Sequence, residues 1–167
     1  NSVVSGNSSE REGGGLAFQS AQQSFVRNST ISNNTADRKG GGLFSQAGYL
    51  GVVKSTISGN SATQSGGGLA FVSGAFVNLV NSTLSSNSTA STGGGVYVNA
   101  ATLNVNHATF SDNTAGLSGG GIQDESSNSI GLRNSLVSGN YAGSAGAEIS
   151  AANSFNNIIE DQNSLFG

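Results

Sequence analysis

Apolar residues recur along this chain at a fixed beat, set between short runs of Ser, Asn, Thr and Gly. The Asn that closes each "VSGN"- or "ISNN"-like segment serves as a ruler. Asn7, Asn34, Asn60, Asn87, Asn113 and Asn140 are separated by 27, 26, 27, 26 and 27 residues. Three residues before each stands an apolar residue: Val4, Ile31, Ile57, Leu84, Phe110, Val137. Nine residues after each stands an aliphatic one: Leu16, Leu43, Leu69, Val96, Ile122, Ile149. From the second repeat on, Val26, Val52, Leu79, Val105 and Leu132 lie eight residues before the Asn. Self-similarity at such a period is the mark of a solenoid or array.

No patch sustains the i, i+3, i+4 spacing of a helix, whereas "LAF", "VNLVN" and "STLSSN" alternate over a few residues between turn formers. Three short strands and three turns in about 26 residues fit one coil of a parallel β-helix, with coils stacked ~4.8 Å apart. A propeller blade is longer than this repeat, and a leucine-rich repeat needs a leucine scaffold that is missing here. Within each coil, "TIS", "TLS" and "TFS" point the middle side chain inward and the hydroxyls outward, because strand side chains alternate. The six phase asparagines then stack as an amide ladder, each bonding to the coils above and below. A second polar phase (Asn28, Lys54, Asn81, His107, Asn134) reads as a turn between two strands, since the inward parity flips across it.

Five glycine triplets begin at Gly13, Gly40, Gly66, Gly93 and Gly119, each followed by an aliphatic residue. Glycine is costly to order, so a recurring triplet needs a structural reason. A sharp corner with φ > 0 and close backbone approach supplies one. The sixth copy reads Gly146-Ala147-Glu148, which keeps the first glycine and relaxes the other two. A phosphate-binding loop would need a following helix and a "GK[ST]" step, and none of the triplets has either.

The glycine step followed by an aliphatic residue ("GGGL", "GGGV", "GGGI") alternates with a second step ("VSGN", "ISNN", "ISGN", "LSSN", "FSDN"). This pairing resembles the repeats of the chlamydial polymorphic outer-membrane proteins. Phe110–Asn113 matches their Phe form literally, and the third glycine stands where they usually have Ala. The resemblance runs from Asn1 to about Ile149. It implies a right-handed β-helix in a secreted or surface-exposed protein, often an autotransporter passenger and sometimes an adhesin. The expected fold is therefore all-β: a right-handed parallel β-helix (solenoid) of about six coils of 26–27 residues, three short strands per coil. Residues 1–167 form a single domain that ends in a non-repeating segment over 150–167. The chain lacks Met and reads as a segment of a longer or processed protein.

Composition narrows the partners. The chain has 26 Gly, no Cys, Met, Pro or Trp, 9% charged residues and a net charge of −3. Six basic residues do not make the cationic stripe that a nucleic-acid partner requires. No apolar run is long enough to insert in a membrane as a helix. Zero Cys and one His exclude a disulfide framework, thiolate metal sites and a His-based triad. No cofactor or metal is expected.

The carboxylates are few and mostly isolated in phase. The exception is the corner before the first two triplets, "ERE" at Glu10–Glu12 and "DRK" at Asp37–Lys39. At equal phase Glu10 stacks on Asp37 and Arg11 on Arg38, one coil spacing (~5 Å) apart. Two carboxylates at that distance lie within a retaining glycosidase's range, but no third residue or aromatic platform accompanies them. The favoured reading is an exposed ion-pair corner, with Glu10, Arg11, Asp37 and Arg38 as candidate surface contacts. Asp124 shares the phase of Phe18, Phe71 and Val98, and the expectation is that its strand turns outward near the end of the array. Columns of Thr (Thr30, Thr56, Thr83, Thr109) and Ser (Ser32, Ser58, Ser85, Ser111, Ser138) also resemble the hydroxyl face of ice-binding β-solenoids.

These observations point to a non-enzymatic structural or adhesive rod, extracellular or on a bacterial cell surface. It would contact copies of itself, other coils of the parent protein, a glycan or a host surface. The rival readings are a carbohydrate-active β-helix and an ice-binding solenoid.

Overall fold

The computed structural model describes residues 1–19, 22–125, 130–151 and 165–166. Every strand pair is parallel, and no described residue is helical. The chain winds as a β-solenoid of five complete turns between Asn7 and Asn140, each turn crossing four sheets. One turn illustrates the rest: Thr56–Ser58 lies in sheet A, Ser61–Ala62 in sheet B, Leu69–Val72 in sheet C and Phe76–Val80 in sheet D. Thr83–Ser85 then returns to sheet A above Thr56–Ser58, with Leu84 paired to Ile57.

The sequence reading gives three strands per coil, and the structure has four. The additional strand is the two-residue step after each ladder Asn, as in Thr35–Ala36 or Ser88–Thr89. Its inward residue is small (Ala36, Ala62, Thr89, Ala115), so it leaves no bulky apolar signature in the sequence. The strand Leu165–Phe166 adds a seventh member to sheet A by pairing with Leu136 and Val137. Residues 152–164 of the expected end segment, including Glu160 and Asp161, lie outside the described residues.

Equal-phase apolar side chains stack inside the coil. Leu69, Phe71, Val77, Leu79 and Leu84 of one turn are fully buried, and the same columns continue through Val96, Val98, Leu103, Val105 and Phe110. Each such side chain contributes about 1.5–3 kcal/mol by leaving water. The bends are made by single residues in the left-handed region, where a short polar side chain or Gly is least strained. Between sheets D and A they are Asn28, Lys54, Asn81, His107 and Asn134, with φ from 49° to 53°. His107 is thus a turn residue.

The glycine corner leads into sheet C. The first glycine of every triplet, Gly146 included, has φ between 60° and 72°. The second and third have no room for a side chain. A Cβ on Gly41 would fall within 3.0 Å of the carbonyls of Ser61 and Gly67, and one on Gly42 would meet the Gly68 carbonyl and the Asn60 amide. The crowding always comes from the coil that follows. At Gly146 the first glycine of the corner is kept, with Ala147 and Glu148 in place of the other two.

Asp124 does not turn outward. Its strand keeps register, with Asp124 paired to Val98 and Ala151, and the residue is fully buried in a column that runs through Phe18, Ser45, Phe71 and Val98. The parallel backbone ladder holds the strand in place, so the phase decides which way the side chain points, whatever its polarity.

Candidate functional site

Two polar ladders run inside the rod. In the first, the backbone N–H and the Nδ2 of each phase Asn both donate to Oδ1 of the next, at 3.0–3.1 Å and 2.8–3.0 Å from Asn7 to Asn140. The second Nδ2 proton goes back to a carbonyl in the preceding coil, as from Asn60 to Ile31 at 3.0 Å. Asn34, Asn60, Asn87 and Asn113 are wholly buried, and each amide has two donated and two accepted bonds. A buried amide is tolerated only when satisfied in this way.

Glu148 bonds to Asn140, the sixth Asn of this ladder. Its carboxylate accepts the Asn140 N–H at 3.3 Å and the Asn140 Nδ2 at 2.5 Å. In the sequence it reads as a stray carboxylate at a glycine phase. The available signal was that the third triplet glycine always faces a ladder Asn.

The second ladder is built from serines that recur at the repeat period, Ser29, Ser55, Ser82 and Ser135, and that read in the sequence as ordinary turn residues. Ser55 and Ser82, at the start of sheet A, are buried; Ser55 Oγ donates to Val53 O and accepts from Ser29 N, and Ser82 Oγ donates to Val80 O and accepts from Ser55 N. Ser135 repeats the pattern with Arg133 O and Ala108 N. At Ala108 the column lacks its hydroxyl.

The charged corner carries the sequence-predicted contact residues. Glu10, Arg11, Asp37 and Arg38 are all exposed. Arg38 donates across the coil to Glu12 Oε1 at 3.5 Å, the one ion pair among the described residues, and Glu10 and Asp37 share no hydrogen bond. Beside it lies a shallow hollow of about 520 Å³ whose walls include Arg11, Glu12, Lys39, Gln46 and Asn99. Under its floor the outward face of sheet C holds a small apolar cluster of Phe44, Ala70 and Tyr97. Lys39 Nζ sits 5.2 Å from the Tyr97 ring. Tyr97 donates its hydroxyl proton to Glu125 Oε2 at 2.6 Å and accepts from Asn99 at 3.1 Å. Burial, reinforced by that bond to a carboxylate, pushes the Tyr97 phenol up to about 12.

The hydroxyl columns are in register. Thr30, Thr56, Thr83 and Thr109 pair in turn on sheet A, and Leu136 closes the column; Ser32 through Ser138 run beside them. Sheet D presents a different exterior: exposed Phe25 and Phe76, Tyr49 between them, and a run of asparagines.

The Chlamydia polymorphic membrane protein repeat matches residues 28–46 and 107–125. Each match spans one ladder Asn and the glycine corner that follows it, including "ISNN" with "GGGLFS" and "FSDN" with "GGGIQD". Over those two stretches the chain is similar to that family's repeat. In these repeats the buried Asn and the triplet form one unit, because each third glycine packs on the ladder amide of the next coil. No curated protein and no solved structure matches the chain. The repeat family is one of surface- and outer-membrane-associated proteins.

Proposed function

We propose that the chain is a non-enzymatic structural and adhesive rod of a secreted or cell-surface bacterial protein. The observation that carries this reading is the unbroken Asn ladder, buried from Asn34 to Asn140 and fully bonded in every interior coil. It makes a stiff spacer whose exterior varies without disturbing the core. The chemistry-bearing side chains support the same reading: Glu10 and Asp37 are exposed and share no bond, and His107 occupies a strained turn. The test is an epitope inserted at the exposed Ser73–Gly74 turn of the parent protein. Antibody reaching it on intact cells supports surface display, and labelling only after permeabilisation overturns it.

Stacking of copies into a fibre extends this reading. A Cβ at any second triplet glycine meets backbone carbonyls of the coil that follows, so a coil stacked in the interior register on Ala147 would be crowded there. Concentration-dependent sedimentation supports the extension. A monomer at every concentration removes it and leaves the rod.

A further inference from the structure

The outward face of sheet D is chemically unlike the rest of the rod. Three of the six basic residues, Arg27, Lys54 and Arg133, lie on its strands or in the turn that follows, all exposed, and no carboxylate falls anywhere on these segments. The other three, Arg11, Arg38 and Lys39, share their corner with Glu10, Glu12 and Asp37. In a chain of net charge −3, positive charge on this face meets no carboxylate of its own strands or turns among the described residues.

Three columns of side chains run along it. In the first, Tyr49 stacks on Phe76 with centroids 6.0 Å apart and planes 20° apart, and Thr102 is next in register. A threonine is too small to cover the ring, so Phe76 keeps one face open along the axis and is 42% exposed. In the second column Asn104 Nδ2 donates to Asn78 Oδ1 at 3.3 Å, and Asn78 Nδ2 donates to the Tyr49 hydroxyl at 3.0 Å. This relay holds the two amides and leaves Asn104 Oδ1 beside Gly131, 3.0 Å from where a Cβ would lie there. Gly131 follows in that column and carries no side chain, which opens a hollow of about 440 Å³ walled by Asn78, Asn104, Asn106 and Arg133. That volume is in the range of small-ligand sites. In the third column Asn106 accepts from Asn134 at 3.0 Å, so its Nδ2 is free to donate, and Arg133 makes no ion pair among the described residues. Arg27 closes the opposite end, its guanidinium 4.1 Å from the Phe25 ring.

The geometry points to a binding site for a uronate-containing saccharide chain lying along the rod axis on sheet D. An open aromatic face receives the C–H side of a pyranose, and fixed amides offering one acceptor and one donor meet its hydroxyls. The Arg133 fork pairs with the sugar carboxylate. Arg27 and Arg133 stand on the first and fifth strands of the sheet, roughly 19 Å apart at the parallel-strand spacing, so a chain of several sugars meets a cation at each end. A single-stranded nucleic acid is the competing occupant, since an exposed aromatic face also stacks a base, and it is one arm of the test.

The site supplies a ligand class for the adhesive part of the proposed function. It is tested on the isolated chain, so its failure is distinct from a failure of surface display. Calorimetric titration of residues 1–167 with galacturonate oligomers, against neutral glucan oligomers of equal length, should show at least about tenfold tighter binding of the acidic sugar. Arg133→Gln and Phe76→Ala should each weaken binding several-fold, and Gly131→Ile should block the hollow, with urea midpoints unchanged. Equal affinity for the neutral oligomer overturns the proposal. So does dextran sulfate (a polyanionic saccharide without uronate), a single-stranded oligonucleotide or phosphatidylserine vesicles binding as tightly as galacturonate, because that reports charge attraction alone. If Gly131→Ile fails to fold, undiminished binding by Arg133→Gln and Phe76→Ala still overturns the placement.

Discussion

The Glu148 carboxylate accepts both donors that Asn140 would otherwise hand to another asparagine, its backbone N–H and its Nδ2. An acidic residue thus bonds to a ladder amide from a position that is glycine in every earlier coil. Hydrogen bonds to a charged acceptor are worth more than neutral ones, typically ~1.5–3 kcal/mol. Glu148→Ala is expected to lower unfolding stability by about 2 kcal/mol in urea titration. Glu148→Gln keeps one carbonyl acceptor and should recover more than half of that loss. Equal stability of the Ala variant and the parent would show that water serves the Asn140 donors as well.

Asn87 sits in the middle of the same ladder. Replacing it with Ala strands the Asn60 N–H and Nδ2 and leaves the Ile57 carbonyl without its donor, all away from water. Each buried orphan costs about 1–3 kcal/mol. The expected loss for Asn87→Ala is therefore at least ~3 kcal/mol, and more than for Asn7→Ala at the exposed start. Similar losses at the two positions would refute the ladder as a source of stability.

The second glycine of each triplet is required by what surrounds it and not by its φ, unlike a glycine such as Gly74. Gly74 has φ of 84° and open space where a Cβ would lie, whereas a Cβ on Gly67 would fall within 3.0 Å of the Ser88 and Gly94 carbonyls. Gly74→Ala should cost only the left-handed backbone strain, about 1–2 kcal/mol. Gly67→Ala must push two coils apart and should prevent cooperative unfolding at a normal midpoint. Thermal melts of the two variants side by side decide this.

Much of the fold was legible because a solenoid repeats each constraint in every coil. The spacing of Ile31, Ile57 and Leu84 alone sets the sheet A core, and their pairing in register follows from it. Features carried by small residues were harder to see. Sheet B hides behind Ala36 and Ala62, and the serine ladder behind residues that look like ordinary polar turn formers. Asp124 was misread because a polar residue on a core phase suggested a local bend, yet the neighbouring strands fix the backbone. The sheet D face was missed for another reason. Its parts, Phe76, Asn104, Gly131 and Arg133, belong to different coils and vary from coil to coil, so no repeat announces them.

Tyr97 gives the rod a pH dependence at the alkaline end. Its phenol titrates at about 12 when folded, against about 10 in an unfolded chain, because burial and the Glu125 carboxylate both oppose a second negative charge. The stabilising contribution is complete below pH 10. Between about 10 and 12 the unfolded chain loses the proton while the folded one keeps it, so stability falls as pH rises through that window. Tyr97→Phe should remove this slope. If urea midpoints measured from pH 9 to 11.5 fall equally in parent and variant, Tyr97 is not its source.

The last expectation concerns the gap in the serine ladder. Ser29 N and Ser55 N each donate to the hydroxyl of the next coil, at 3.2 Å, and Ala108 N donates to Ser135 Oγ at 3.1 Å. Ser82 N has no such hydroxyl, because its neighbour in the column is the buried Ala108. The flanking coils show that the backbone accommodates Oγ at this phase, bonded to the carbonyl two residues before it. For residue 108 that carbonyl is Asn106 O, and the donor gained is Ser82 N. Ala108→Ser should therefore raise stability by about 1 kcal/mol, the net value of an ordinary buried hydrogen bond. Ala108→Val, similar in bulk to a Thr but without a hydroxyl, should lower it. A Ser variant no more stable than the parent would mean that the Ser82 N–H already has a partner, and that the column is a packing arrangement and not a ladder.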